Sequence, residues 1–370
     1  MAPSSTIVLC PAAPLEAFAA GVVRALGADD EVSREVGRHL VRSNLSGHDS
    51  HGVRLLPAYV AQADRGDLAP AARPVALRET EVAALLDARR GFGHFSTMQA
   101  MEWAVARAPR HGIAAVAVRH STHIGRLGEY TERAAAAGLV GLVTVGAGGP
   151  GVGVMSVHGS RARFFGTNPW SIGVPGVSQP MIYDGATSVV AAGKVAVAGA
   201  SGSLLPPDCL LDRDGQPTQD PATLSAGGVM LPLGGAAAGH KGSGLAMASA
   251  LIGGLGMIGD AEPTMVGAAP DPGVTDTRGR IGGVFVQAVD PACFGDPAGY
   301  RALVEAHLAA AGRMPAAPGR EDVLVPGEPE RRSRERRGQE GIPIAAATWA
   351  ELGKVAARFG VPLPPARPPG

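Results

Sequence analysis

LVGLVTVGAGGPGVGVMSVHGSR, residues 139–161, is the stretch on which the fold turns. Its first seven residues are an uncharged, Val-rich run of the kind that makes a buried strand. The next six, GAGGPG (146–151), match G-x-G-x-x-G with Gly146, Gly148 and Gly151 in the three glycine positions. Between a strand and a helix, that pattern cradles the pyrophosphate of a dinucleotide in a Rossmann fold. The context fails. Gly153 to Ser156 lead into His158-Gly-Ser-Arg rather than an amphipathic helix, and the first acidic residue is Asp184, 33 positions past Gly151. The fingerprint wants it at about 20. With 53 glycines in 370 residues such a match arises by chance, and the segment reads as a strand running into a tight loop.

Outward from this stretch, strands and helices alternate. IAAVAV (113–118) is β-like and stops just before His120, while GEYTERAAAAG (128–138) is helical with Gly138 in the C′ position. PMIYD (180–184), CLLD (209–212) and GGVFVQAV (282–289) read as strands, and a helix is expected from Gly239–Lys241 to about Leu255. The chain ends are helical. Leu15, Phe18, Ala19, Val22 and Leu26 recur at helical spacing behind Pro14, and a second helix starts at Asp29 or Asp30 and ends near Leu45. Residues 302–312 form another candidate, and Thr348 with Glu351 makes a capping box ahead of Leu352, Val355 and Phe359. EPERRSRERRGQE (328–340), with five Arg and four Glu, reads as a solvated, salt-bridged surface. Gly/Pro-rich segments at 261–275 and 311–319 read as surface excursions, and there is no internal repeat.

The charge balance, 33 basic against 33 acidic side chains, argues against a nucleic-acid or anionic-membrane partner. A 45% hydrophobic content excludes a disordered polymer. Cys10, Cys209 and Cys293 fit neither a disulfide framework nor a CxxC motif, which points to a reduced, cytoplasmic setting; the N-terminus shows no signal-peptide pattern. The uncharged stretches 134–157 and 242–259 are interrupted by glycines and read as buried core rather than membrane spans.

Four of ten histidines form two HxxH pairs in turn-like segments: His48 and His51 in GHDSHG, and His120 and His123 in HSTHIGRLG. Such loops at the ends of regular elements are where catalytic groups concentrate. Imidazoles at i, i+3 can share a metal ion, but only Asp49 and Glu129 lie nearby as carboxylate ligands, so proton transfer is the favoured reading. Arg54 and Arg126 flank the pairs and suit a carboxylate. AAGHKGSG (237–244) puts His240 and Lys241 at a helix start, where a phosphate is welcome, and RFFGTNPWSIGVPG (163–176) offers Thr167 and Asn168 as ligand hydrogen-bonding groups.

Taken together, GHDSHGVRLLPAYV (47–60), HSTHIGRLGEYTERAAAAGLVG (120–141), FGTNPWSIGVPG (165–176), YDGATSVVAAGKV (183–195) and GHKGSGLAMASALIGGLG (239–256) resemble, in that order, the non-Rossmann malate/L-lactate dehydrogenase family. PPDCLLDRDGQPT (206–218) and VLVPGEPERRSRERRGQEGIPI (323–344) are most similar to its hydroxycarboxylate dehydrogenase B branch. The resemblance spans nearly the whole chain. It implies an α/β fold with a largely antiparallel sheet that binds NAD or NADP, beside a helical part built from both chain ends. It also implies a homodimer.

On the resemblance, His120 is the catalytic acid/base, and Ser50 and His51 line the substrate pocket. Thr167, Asn168, Pro169, Asp184, Gly185, Ala186, His240 and Lys241 correspond to cofactor-binding positions. Many members carry an Arg four residues after the Ser-His histidine. Here that position is Leu55, with Arg54 one earlier, which disfavours dicarboxylates; Arg126 becomes the expected carboxylate clamp, with Arg54, His48 and His123 also facing substrate. The expected organisation is a helical part at 1–75, a cofactor and substrate domain at 76–296, and a C-terminal helical part at 297–370. The expected activity interconverts a 2-hydroxy acid, a monocarboxylate with an apolar tail, and its 2-oxo acid. A cyclic-imine or ketimine reductase is the second reading, and a non-catalytic ligand- or metal-binding protein the third.

Overall fold

Residues 7–259 and 280–368 are described by the computed structural model; the Gly/Pro-rich stretch 261–275 lies outside them. The chain opens with β1 (Ile7–Cys10), α1 (Ala12–Ala25), α2 (Asp30–Leu45) and α3 (Leu56–Asp64). The middle runs β2 (Val75–Glu79), β3 (Ala83–Asp87), α4 (Gly93–His111), β4 (Ile113–Arg119), α5 (Gly128–Ala136) and β5 (Val140–Gly148). Short strands follow: β6 (Met155–Ser156), β7 (Arg163–Phe165), β8 (Trp170–Val174) and β9 (Met181–Gly185). Next come α6 (Ala192–Ser201), β10 (Leu210–Leu211), β11 (Pro217–Thr218), α7 (Ala222–Ser225), β12 (Val229–Met230) and α8 (Gly235–Gly253). The chain closes with β13 (Ile281–Val289), α9 (Pro297–Gly312), α10 (Glu328–Glu340), β14 (Ile342–Ala345) and α11 (Ala346–Phe359).

Twelve strands form one sheet in the order β11-β10-β12-β6-β7-β5-β13-β4-β3-β2, with β8 joined to β5 and β9 to β8. Among the described residues only β12–β6 and β3–β4 are parallel pairs, and every other ladder is antiparallel. A doubly wound sheet is therefore excluded, and GAGGPG is the end of β5 and a turn toward β6 rather than a loop opening a helix. Its Gly146 has a packing role instead. A Cβ there would sit 2.4 Å from the backbone nitrogen of Ala250, because α8 lies directly on the strand; likewise a Cβ on Gly253 would meet the Gly283 carbonyl at 2.4 Å. The helix reaches the sheet through its small face, burying Gly242, Ala246, Ser249, Ala250 and Gly253. Its large side chains point away: Leu245 and Leu251 are exposed, as is Leu255 in the 3-10 turn that follows. The expectation that 242–259 is core thus holds for the small residues alone.

The two ends of the chain share a core. β1 and β14 pair antiparallel from Ile7↔Ala345 to Cys10↔Ile342. Leu15, Phe18 and Val22 of α1, Val36 and Leu40 of α2, Leu56 of α3, and Leu352 and Val355 of α11 are buried together. Asp29 caps α2, its carboxylate accepting the Glu31 and Val32 N–H groups at 3.0 and 2.9 Å. Two helix starts differ from the sequence reading. α9 begins at Pro297 behind an Asp296 cap, five residues before Ala302. α11 begins at Ala346, so Thr348 is its third residue and no cap, because β14 runs straight into the helix through an extended Ala345. No helix of the described residues is long and apolar enough to cross a membrane.

Candidate active site

The parallel pair β3–β4, joined through α4, aligns Asp87 with Arg119 at the strands' C-terminal ends. One residue on, His120 turns into the left-handed region (φ 51°), a conformation that costs a non-glycine residue energy and marks functional turns. The turn is held because the His120 carbonyl accepts the Arg90 N–H at 2.9 Å. It directs Nδ1 of the ring at Asp87, 3.0 Å from both carboxylate oxygens. Asp87 also accepts from the Arg89 N–H at 2.8 Å and from Arg119 Nε at 3.1 Å. Burial opposes ionisation of Asp87, but these donors outweigh it and hold the carboxyl below the usual carboxylate range. The result is a His–carboxylate pair in which Asp87 fixes which imidazole nitrogen carries the proton.

Ser50 and His51 sit in a 3-10 turn, Asp49–His51, just past α2. Ser50 Oγ lies 2.9 Å from His51 Nδ1. The His51 ring stacks on His123 with centroids 5.6 Å apart. His123 Nδ1 accepts from the Tyr59 hydroxyl at 2.8 Å and from the Gly125 N–H at 3.3 Å, so its proton is on Nε2. Tyr59 also lies 3.3 Å from His94 Nε2, and His94 packs edge-on to His39. His39 Nε2 in turn accepts the Arg126 N–H at 3.0 Å. Burial holds His39, His94 and His123 well below the ordinary histidine value, so all three are neutral at pH 7. His51 is also lowered, chiefly by burial, with Asp184 opposing and the charges of His48, Arg126 and Arg54 reinforcing.

Arg126 is only 1% exposed at its side chain and is ringed by carboxylates. It donates to Glu132 at 2.8 Å, with Asp184 at 3.8 Å and Glu129 at 3.9 Å. Glu129 and Glu132 also pair with Arg42, at 2.6 and 3.0 Å, and Glu132 with Arg334 at 3.1 Å. Arg126 thus belongs to a mixed ion cluster that engages one of its arms, while Nε and Nη1 make no hydrogen bond. This internal commitment counts against the expectation that Arg126 clamps a substrate carboxylate. Arg54 is exposed, with no ion-pair partner among the described residues. His48 is turned to Glu330, its Nε2 3.0 Å from Oε1.

The expected cofactor segments come together, through backbone bonds. The Thr167 carbonyl accepts the Thr187 N–H at 2.9 Å, the Thr187 carbonyl accepts that of Leu233 at 2.7 Å, and the Leu233 carbonyl accepts that of Gly242 at 3.1 Å. Residues 166–169, 184–187 and 239–242 are thereby neighbours. Asn168 (φ 38°) uses its amide to tie the framework: Oδ1 accepts the Ala147 N–H at 3.0 Å, and Nδ2 donates to the Ala246 carbonyl at 2.8 Å. Thr144 of β5 donates to the carbonyl of Pro169 at 2.8 Å. Asp184 accepts the Gly128 N–H at 2.7 Å, at the start of α5, and Gly185 and Ala186 continue from it half-buried. The helical path of α8 breaks at Ala238 (φ −131°, ψ 17°) and restarts at Gly239, with His240 and Lys241 exposed beside it. A restarted helix end, an exposed ammonium and a glycine at which a Cβ would crowd His158 (2.9 Å) fit the anionic part of a dinucleotide.

The two HxxH pairs do not converge on a metal. His120 turns to Asp87, His48 to Glu330, and His51 and His123 stack; no group of three ligating side chains gathers among the described residues. Sequence reasoning missed Asp87, Tyr59, His94 and His39. The Asp-Ala-Arg-Arg-Gly turn after a strand is the one signal that marks Asp87.

The model of the malate/L-lactate dehydrogenase family matches residues 10–353. Hydroxycarboxylate dehydrogenase B of Escherichia coli (strain K12) is 35% identical over 354 residues, 94% of this chain and 93% of its own. Delta(1)-pyrroline-2-carboxylate reductase of Ancylobacter novellus is 34% identical, over 89% of this chain and 92% of its own. The solved sulfolactate dehydrogenase of Methanocaldococcus jannaschii superposes with a TM-score of 0.82 at 27% identity, covering 95% of this chain and 98% of that one. With a backbone that superposes on that of a solved dehydrogenase and a matching sequence over most of its length, this chain belongs to the malate/L-lactate dehydrogenase family.

Proposed function

We propose that the protein is an NAD(P)-dependent oxidoreductase that interconverts a 2-hydroxy monocarboxylate and its 2-oxo acid. The observation that carries this reading is the His120–Asp87 pair, 3.0 Å from Nδ1 to each oxygen. A nicotinamide held by the segments around Thr167, Asp184 and Lys241 would be the hydride donor or acceptor for C2. With Nδ1 committed to Asp87, Nε2 is the atom that passes the proton. In reduction the imidazolium donates to the 2-oxo oxygen; in oxidation neutral His120 takes the hydroxyl proton, and Asp87, ionised throughout, stabilises the cation that forms.

His51, neutral and hydrogen-bonded to Ser50, is suited to hold a polar group of the substrate without adding charge. His123, its Nε2 protonated, supplies a second neutral donor. Arg54 takes over the carboxylate grip: its charge acts on His51, and it has no carboxylate of the chain to neutralise it among the described residues. A single exposed guanidinium suits a monocarboxylate. Thr167, Asn168, Pro169, Asp184, Gly185, Ala186, His240 and Lys241 would hold the cofactor, with Lys241 and the restarted α8 facing phosphate.

The second reading, reduction of a cyclic imine carboxylate, keeps the same acid and the same grip, and the similarity to the Ancylobacter novellus reductase favours it specifically. The test is a panel of apolar 2-oxo monocarboxylates, malate-type dicarboxylates and pyrroline- and piperideine-2-carboxylates with NADH and NADPH, followed at 340 nm. Turnover of the first group supports the proposal. Preference for the imines selects the second reading, and no turnover of any with either cofactor removes both.

A further inference from the structure

The Arg/Glu-rich segment 328–340 is more than a solvated surface. As α10 it carries ordinary helix pairs such as Arg331–Glu335 at 2.7 Å, but Glu330, Arg334 and Arg337, at i, i+4 and i+7, share one face. That face meets the end of α2 and the turn behind it. Glu330 holds His48; Arg334 donates to Ser46 Oγ at 3.0 Å and Glu132 at 3.1 Å. Arg337 grips Asp49 with both arms, at 2.7 and 3.0 Å, and donates to the Asn44 carbonyl at 2.6 Å. The Arg337 side chain is 11% exposed and that of Asp49 45%, so the guanidinium is buried while water still reaches the carboxylate.

Asp49 and His48 are the two residues immediately before Ser50 and His51. Asn44 clasps the same turn: its Nδ2 donates to Asp49 at 2.7 Å and its Oδ1 accepts the Val53 N–H at 2.9 Å. Gly52 is required there, since a Cβ would fall 2.1 Å from Asn44 Oδ1. His48 and Asp49, the two residues that lead into Ser50 and His51, are thus held by a helix 282 and 288 positions away.

We propose that Arg337, acting through Asp49, and Glu330, acting through His48, are positioning residues that set where Ser50 and His51 meet the substrate. The inference rests on the pocket assignment of Ser50 and His51 made above. A group held within half an ångström of its productive place loses much of its effect when that support goes.

The test measures binding of oxamate, an isostere of 2-oxo monocarboxylates, to the protein saturated with whichever reduced nicotinamide it binds, by quenching of nucleotide fluorescence. Arg337→Met is expected to weaken oxamate roughly tenfold or more while nucleotide affinity stays within about twofold. Arg337→Lys, which keeps the charge and loses the fork, should recover part of the loss. Asp49→Asn, which leaves the α10 face intact, stands in if Arg337→Met fails a thermal melt. In a His51→Ala background Arg337→Met should add less than about threefold, because the two act through one group. The same further loss in both backgrounds, or an oxamate affinity unchanged by Arg337→Met and Asp49→Asn while His51→Ala weakens it, overturns the positioning role. Unchanged binding in His51→Ala instead removes the pocket assignment itself.

Discussion

Replacing Asp87 by Asn tests the proton-transfer assignment most directly. The change keeps shape, and the Asn carbonyl can still accept the Arg89 N–H now bonded at 2.8 Å. It removes the charge beside Nδ1 of His120. At about 4 Å and an effective dielectric near 20, two unit charges interact by roughly 4 kcal/mol. That is an upper limit, because the side chains of Asp87 and His120 are 12% and 25% exposed and water screens them. Hydrogen bonds to charged groups contribute about 1.5–3 kcal/mol when measured by substitution. Applied to the transition state, that range corresponds to a fall of roughly 10- to 150-fold in kcat/KM. The assay is absorbance at 340 nm on the best substrate of the panel, run in both directions at one pH. With cofactor affinity unchanged, the Haldane relation demands the same loss both ways. A thermal melt guards against misfolding, since the new amide faces Arg119 as well. If Asp87→Asn stays within threefold of wild type while His120→Ala collapses, Asp87 has no part in orienting the ring.

His120→Ala should itself cost at least ~10²-fold in turnover, and near wild-type rates would take it out of the mechanism. Arg54→Ala should raise KM for a 2-oxo acid by roughly 10- to 100-fold with a much smaller effect on kcat; an unchanged KM returns the carboxylate to another group. The three histidines His39, His94 and His123 stay neutral in the fold where the unfolded chain takes up protons, so their contribution to stability is whole above about pH 6.5 and is lost as pH falls below it. Each adds up to about 1.4 kcal/mol per pH unit, or about 4 kcal/mol for three, which urea melts between pH 7 and 5 would register; flat stability over that window refutes the buried neutral cluster. Gly146→Ala, with no room for a Cβ against the Ala250 backbone, should destabilise by about 1–3 kcal/mol and loosen α8, seen as a lower urea midpoint together with weaker nucleotide binding.

What could be read along the chain was what local physics decides. Asp29 shows as a cap because its side chain serves the next two N–H groups, and β4, α5 and β5 show in their periodicity within a residue or three. The failure of GAGGPG as a fingerprint was also legible, since the missing helix and the distant acid are linear facts. Asp87 was not. It meets His120 because two parallel strands align across an intervening helix, and nothing in one dimension links positions 33 apart. Arg126 looked like a clamp until Glu132, Glu129 and Asp184 were seen around it, two from the next helix and one from a remote strand. The charges of α10 misled for the same reason: composition reports how many are present and not which face three of them share.

The grip of α10 on the Ser50–His51 turn also has a consequence in time. A ribosome delivers His51 early, and 286 residues separate it from Arg337. At about 5–20 residues per second that gap is roughly 15 to 60 s. Throughout it the turn has Asn44 and, later, His123 but not Arg337 or Glu330, and β1 waits for β14 to pair with. A chain cut short between Lys241 and Glu328 contains every one of the assigned site residues yet lacks the helix that grips the Ser50–His51 turn. On the proposed role of α10, competence of the pocket would be acquired near the end of synthesis, when the C-terminal part of the polypeptide folds back on the N-terminal part.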